Sequence, residues 1–248
     1  MTPSAAALSV DRANRTADPR LICALDLPTA DQARGLVDRL DDGIEFYKVG
    51  LQLFAGGDGM ALARELKAAG RQVFLDWKLH DIGATVEKAA AALADSGADL
   101  LTVHAEPQVM AAAVRGVEGS GLKVLGVTVL TSLSDEDLVE IGYGEAAAAL
   151  VERRVRQALD LGVHGVVASP LEAARVRDLA VAAGCDDFLI VTPGVRPAGA
   201  ALDDQARAAT PAEALGAGAT HLVVGRPISA ASDPRRAALA IAAEMAGA

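Results

Sequence analysis

Aromatic side chains are scarce in this chain: they supply 3% of its 248 residues, against 52% for the hydrophobic class as a whole. Ala and Gly dominate instead. Such a composition excludes a bulky aromatic core and favours close packing of helix on sheet. Cysteine is almost missing too. Cys23 and Cys185 are the two present, with no CxxC or other metal-ligand spacing around them, which fits a reducing, cytoplasmic setting. Apolar runs break at Gly or a charge well before 18 residues, so no membrane span is expected. Positive charge is the scarcer sign: 23 Lys and Arg face 33 Asp and Glu, a net charge of −10. An acidic chain has no general attraction for phosphodiester backbones, so nucleic acid is not an expected partner, although one local cation suffices for a small phosphorylated ligand. The first residues lack a basic stretch followed by an apolar one, so residues 1–18 read as a mobile tail and not a signal.

The chain does carry eight short β-like runs, at 21–26, 44–50, 72–77, 99–104, 123–130, 164–169, 187–192 and 220–225. Most are nearly continuous in Val, Ile and Leu, as strands buried on both faces should be. Ala-rich segments of helical spacing lie between them, for example Val151, Val155 and Leu159 in "LVERRVRQALDLG". Several end in Gly just before the next strand, in "KAAGRQVFLD", "ADSGADLLTV", "DLGVHGVVAS" and "GAGATHLVVG". Repeated β-α units with one punctuation scheme predict an α/β chain forming a single (β/α)8 TIM barrel over 19–248. The competing doubly wound sheet usually places a glycine-rich loop after its first strand, and "ALDLPTADQ" has none.

In an α/β barrel the reaction site lies at the C-terminal ends of the strands. There the first run ends in Asp26, the second carries Lys48, and the third carries Asp76 and Lys78. His104, Thr128, Thr131 and Ser169 end the next three. The seventh runs into "TPGVRP" and the eighth into "GRP". Strand side chains alternate, so Asp76 and Lys78 share a face while Trp77 packs outward. Two opposite charges on one buried face point to an assembled reaction centre more than to a solvated strand end. Lys48 and Asp81, from the loop after the third strand, converge on the same point, and the four charges cancel. Asp26, Asp76, Asp81 and His104 would suit a divalent ion, but Lys48 and Lys78 stand among them and repel one. Gly225 and Arg226, with Arg196, suit a phosphate at the ends of the last two strands. "DDQAR" at 203–207 lies in a long polar loop that would serve as a lid. A phosphate-ligand sensor on the same scaffold would need Arg226 but no lysine–carboxylate set.

"FLDWKLHDIGATV" closely resembles the D-x-K-x-x-D-I-x-x-T signature of the bacterial orotidine 5′-phosphate decarboxylase family. The likeness runs from residue 21 through "ALD", "YKVG", "VTVLTSL", "VTPGVRP", "DDQAR" and "GRPI", in family order. Gly83-Ala84 stands where many relatives have Pro-Asn. The resemblance implies a homodimeric barrel that converts orotidine 5′-monophosphate to UMP and CO2 in the last step of pyrimidine nucleotide synthesis, without cofactor or metal. It implies a charged tetrad of Lys48, Asp76, Lys78 and Asp81, with Lys78 protonating C6 and Asp81 reaching into the neighbouring subunit's site. Asp26, with Lys48 and Thr85 nearby, would hold the ribose, and Thr131 would face the pyrimidine. Arg196, Gln205, Gly225 and Arg226 would lie along the phosphate. Related Mg²⁺-dependent barrels that act on sugar phosphates share D-x-K-x-x-D, but an acidic metal ligand stands where this chain has Lys48.

Overall fold

The computed structural model describes residues 17–197 and 209–247. Eight parallel strands close into a barrel in sequence order, the last pairing with the first. They are β1 Leu21–Ala24, β2 Phe46–Gly50, β3 Gln72–Leu79, β4 Leu100–His104, β5 Lys123–Val127, β6 Gly165–Val167, β7 Leu189–Pro193 and β8 His221–Val224. The helices are α1 Ala30–Leu40, α2 Leu51–Ala55, α3 Gly59–Ala68, α4 Gly83–Ala94, α5 Pro107–Gly116, α6 Asp135–Glu140, α7 Ala147–Asp160, α8 Ala173–Ala182, α9 Pro211–Gly216, α10 Arg226–Ser229 and α11 Pro234–Ala246. The expected TIM barrel is thus the observed one. Most strands are one to three residues shorter than the apolar runs that announce them, whereas β3 extends two residues past its own, to Leu79, and so takes in Lys78.

Alternation along the strands divides the apolar residues between two cores. Ile22, Ala24, Phe46, Phe74, Leu100, Leu125, Val191 and Val223 fill the barrel interior. Their strand neighbours, such as Cys23, Tyr47, Leu75 and Leu101, face the helices in a larger outer layer. Small side chains let that layer close up: a Cβ on Gly116 of α5 would collide with the Glu87 carbonyl of α4. At the four helix ends marked by glycine in the sequence, Gly70, Gly97, Gly162 and Gly218 all take positive φ, the conformation that glycine adopts without a Cβ penalty. In α7, Val151 and Val155 are buried, and the stripe continues through Ala158.

Residues 1–16, most of the expected tail, lie outside the described residues. Ala17 is buried, and Asp18 pairs with Arg20 at 2.7 Å. No helix among the described residues is long and apolar enough to cross a membrane.

Candidate functional site

The interior face of each strand decides what reaches the mouth of the barrel. On β2 the order is Phe46, Lys48, Gly50; on β3 it is Phe74, Asp76, Lys78. The phenylalanines plug the middle of the barrel, so the charged residues one step further along lie on top of an apolar floor. Trp77 points the other way, as expected, and stacks on Phe54 of α2 at 4.3 Å between ring centroids.

The charges form one row. Lys48 Nζ donates to Asp26 Oδ1 at 2.9 Å and lies 3.3 Å from Asp76 Oδ2. Asp76 Oδ1 accepts from Lys78 Nζ at 2.7 Å. Signs alternate along Asp26, Lys48, Asp76 and Lys78, and the net charge is zero. This is what makes burial of Lys48 and Asp76 tolerable. Burial pushes the Asp76 carboxyl up, but Lys48, Lys78 and the hydrogen bonds of Lys78 and Thr102 outweigh it and hold the group below the ordinary carboxylate range. Burial likewise pulls the Lys48 ammonium down, and Asp76 and Asp26 more than reverse this. Both groups therefore stay charged.

The row lines a pocket of about 430 Å³. Phe74, Val127, Val129 and Leu130 give it an apolar side, and Thr131 lies on its rim. Arg196, Gly225, Arg226 and Ser229, from the ends of β7 and β8, complete the lining. A planar, mostly apolar group with an anionic tail fits such a cavity, the tail towards the arginines. A more open cleft of about 970 Å³ lies at the opposite end, where Arg20, Glu45 and Gln72 begin their strands. It has no comparable row of coupled charges.

Of the residues expected at the site, Asp26, Lys48, Asp76, Lys78, Thr131, Arg196, Gly225 and Arg226 meet in this pocket. Gln205 and the rest of "DDQAR" lie outside the described residues. The backbone on either side of that segment is joined, Arg196 N donating to Ala209 O at 3.0 Å. Asp81 and Thr85 are exposed and do not line the pocket of their own chain. Asp81 instead accepts from the backbone N–H of Ile82 at 2.6 Å. Within one chain, then, the row runs Asp26, Lys48, Asp76 and Lys78, and Asp81 is not part of it. The reason is positional: Asp81 sits past the strand, on the outer lip of the loop.

Three polar strand ends turn away from the pocket. Thr128 Oγ1 donates to Val167 O at 3.0 Å. Ser169 begins a turn closed by its N–H on Glu172 at 2.9 Å. The His104 ring lies 4.8 Å from that of His80, and burial keeps it more easily neutral than an ordinary imidazole, despite Glu106.

Two further residues emerge only in three dimensions. Thr102 of β4 is fully buried, accepting from Lys78 N and donating to Asp76 Oδ1, both at 3.0 Å. Arg154 of α7 is buried, donating to the Thr128 carbonyl, to Glu106 at 3.1 Å and to the Tyr143 hydroxyl at 2.7 Å. It ties α7 to the segment that carries Val129 and Thr131. No cluster of three or more His, Cys, Asp or Glu side chains suited to a metal occurs among the described residues.

Residues 19–241 match the family described as orotidine 5′-phosphate decarboxylase / HUMPS. The chain is 67% identical to the orotidine 5′-phosphate decarboxylase of Caulobacter vibrioides over 232 residues, which span 94% of this chain and 99% of that one. It is 57% identical to that of Cereibacter sphaeroides, over 92% of this chain and 98% of the relative. Among solved structures it is similar to the crystal structure of orotidine 5′-phosphate decarboxylase from Lactobacillus acidophilus. There the TM-score is 0.79 at 38% identity, over 92% of this chain and 99% of that chain.

Proposed function

Since the chain belongs to the orotidine 5′-phosphate decarboxylase / HUMPS family and is a carboxy-lyase of pyrimidine biosynthesis, we propose that its Lys–Asp row performs the decarboxylation, with Lys78 as proton donor. The substrate is orotidine 5′-monophosphate. Loss of CO2 breaks the bond from C6 to the carboxylate carbon and leaves the electron pair on C6, an sp² carbon that no ring carbonyl directly delocalises. The Lys78 ammonium, fixed by Asp76, faces that developing charge with little reorganisation. It then delivers a proton to C6, forming UMP, and the neutral amine regains a proton from solvent. Asp76 stands beside the departing carboxylate and anchors both lysines.

The remaining groups bind. Asp26 and Lys48 hold the ribose, Thr131 meets the pyrimidine edge, and Arg196, Gln205, Gly225 and Arg226 take the phosphate. Binding energy gathered at the phosphate is remote from C6 and is available to draw the reacting groups together. Asp81 and Thr85 complete the site of a partner subunit in a homodimer. Exposed apolar side chains on the elements after β2 and β3 support this reading: Leu51 and Phe54 of α2 and Ile82 before α4 are 55%, 44% and 70% exposed, which suits an interface. No metal or cofactor takes part, since a cation would meet Lys48 and Lys78 among the carboxylates. A cytoplasmic setting fits the free thiols of Cys23 and Cys185.

The observation that carries the proposal is the 2.7 Å contact of Lys78 with Asp76 at the mouth of an apolar pocket. Its test follows the pyrimidine absorbance of orotidine 5′-monophosphate with exhaustive EDTA present. Wild type turns over fully, and folded Lys78→Ala is slower by at least ~10³-fold, having lost both the acid and the facing charge. Near-normal turnover by the variant would remove Lys78 from the role, and rescue by Mg²⁺ would overturn the metal-free reading.

A further inference from the structure

We propose that Thr102 is a positioning residue for this reaction, its buried hydroxyl holding the backbone of Lys78 and the carboxylate of Asp76 in one fixed relation. The inference rests on the reading above, in which those two residues carry the chemistry.

It begins with an irregularity in the sheet. Between β3 and β4, Leu75 pairs with Leu101 and Leu79 with Val103. Four steps along β3 are matched by two along β4, so Thr102 alone faces the stretch Asp76-Trp77-Lys78. Within that stretch Lys78 has φ +48°, the left-handed region that a long L side chain seldom occupies. Such a backbone persists only where its surroundings hold it, and these conformations gather at functional sites.

Thr102 does the holding. The Lys78 N–H, displaced from a regular ladder partner, donates to Thr102 Oγ1 at 3.0 Å. A hydroxyl that accepts from an N–H must send its own proton elsewhere, and Asp76 Oδ1 lies 3.0 Å away. The order N–H to O–H to carboxylate is therefore forced, and each bond polarises the next. Asp76 Oδ1 receives two donors, Thr102 and Lys78 Nζ, while Oδ2 faces Lys48. Both oxygens of Asp76 are thus held. Without the hydroxyl, Lys78 N and Asp76 Oδ1 each lose a buried partner. The backbone then relaxes towards ordinary strand values and swings the ammonium away from its place over the pocket.

The test compares Thr102→Val, which keeps the branched shape, with Thr102→Ser, which keeps the hydroxyl. Thr102→Val should lower kcat at least ~10-fold, as for loss of a hydrogen bond to a charged group, with KM changed less than ~3-fold. Thr102→Ser should return kcat to within ~3-fold of wild type. Should Thr102→Val fail to fold, Thr102→Ala against Thr102→Ser isolates the same hydroxyl. Equal losses in the hydroxyl-bearing and hydroxyl-free variants, or wild-type kcat in Thr102→Val, overturn the proposal. A second readout needs no turnover: the Asp76 carboxyl, followed by ¹³C NMR, should titrate at higher pH in the hydroxyl-free variant, where Lys48 and Lys78 remain its charged neighbours. An unmoved titration also overturns it. A wild-type chain inactive on orotidine 5′-monophosphate would sink the earlier reading, and the titration would still decide whether Thr102 holds Asp76.

Discussion

A Cβ on Gly50 would lie 2.5 Å from Oδ1 of Asp26 and 3.2 Å from Nζ of Lys48. The last residue of β2 must therefore be bare for the first two members of the charge row to meet. Because the nearer atom is the tip of an exposed side chain, Asp26 is able to swing aside. Gly50→Ala should leave the thermal midpoint within a few degrees of wild type yet weaken nucleotide affinity about 10-fold, roughly the worth of one charge-assisted hydrogen bond. Calorimetric titration with UMP checks this, and unchanged affinity would show that Asp26 does not need Lys48.

The proposed sharing of the site between subunits is testable by symmetry. Lys78→Ala and Asp81→Asn should each be nearly inactive. Refolded together in equal amounts, half the dimers are mixed, and in those one of the two sites carries both lesions while the other carries neither. About a quarter of wild-type activity should return by that argument. No recovery, with mixed dimers seen by mass spectrometry, would mean that Asp81 serves its own chain or none.

Arg226→Ala should act on binding. Loss of a desolvated, charge-assisted phosphate contact costs roughly 2–4 kcal/mol, so UMP affinity should fall by that amount. Unaltered UMP binding would exclude Arg226 as a phosphate ligand.

Stability should fall on mild acidification. His221 packs edge-on against Phe46 at 5.9 Å, and burial, helped by Lys123, pushes its imidazole down to about 4. Burial also lowers His104 and His164. The unfolded imidazole binds its proton near pH 6.5. The unfolded state therefore takes up protons first, and stability, fully present above about pH 6.5, declines as the pH falls towards 4, by about 3 kcal/mol for His221. Urea midpoints at pH 7.5 and 5 should differ in wild type and differ less in His221→Gln. Equal slopes in the two proteins would contradict the assignment.

The barrel was legible because its signals are local and repeated: apolar runs of strand length, and glycines where positive φ ends a helix. The row Lys48, Asp76 and Lys78 was legible for a related reason, since period-two alternation places all three inward. Thr102 escaped notice because threonine in a strand is ordinary by propensity, and only the slipped register opposite it gives its hydroxyl a task. Arg154 was hidden for the same kind of reason: an arginine in "VERRVRQ" looks like a solvated face until α7 is laid against Glu106 and Thr128. Asp81 marks a different boundary. Its spacing from Lys78 nominated it, yet in one folded chain it is exposed and does not line the pocket, so a single copy gives it no visible task.

The pairing of β8 with β1 has a consequence for how the molecule comes into being. Leu21 lies against Leu222, two residues far apart in sequence, so the barrel stays open until β8 has been made. Until then β1 and β7 present bare edges to other nascent chains. The pocket spans the same seam, with Asp26 on one side and Arg226 on the other. On the proposed reading a nucleotide bound there would hold the first and last strands together, and resistance to proteolysis should rise with its concentration as mass action requires.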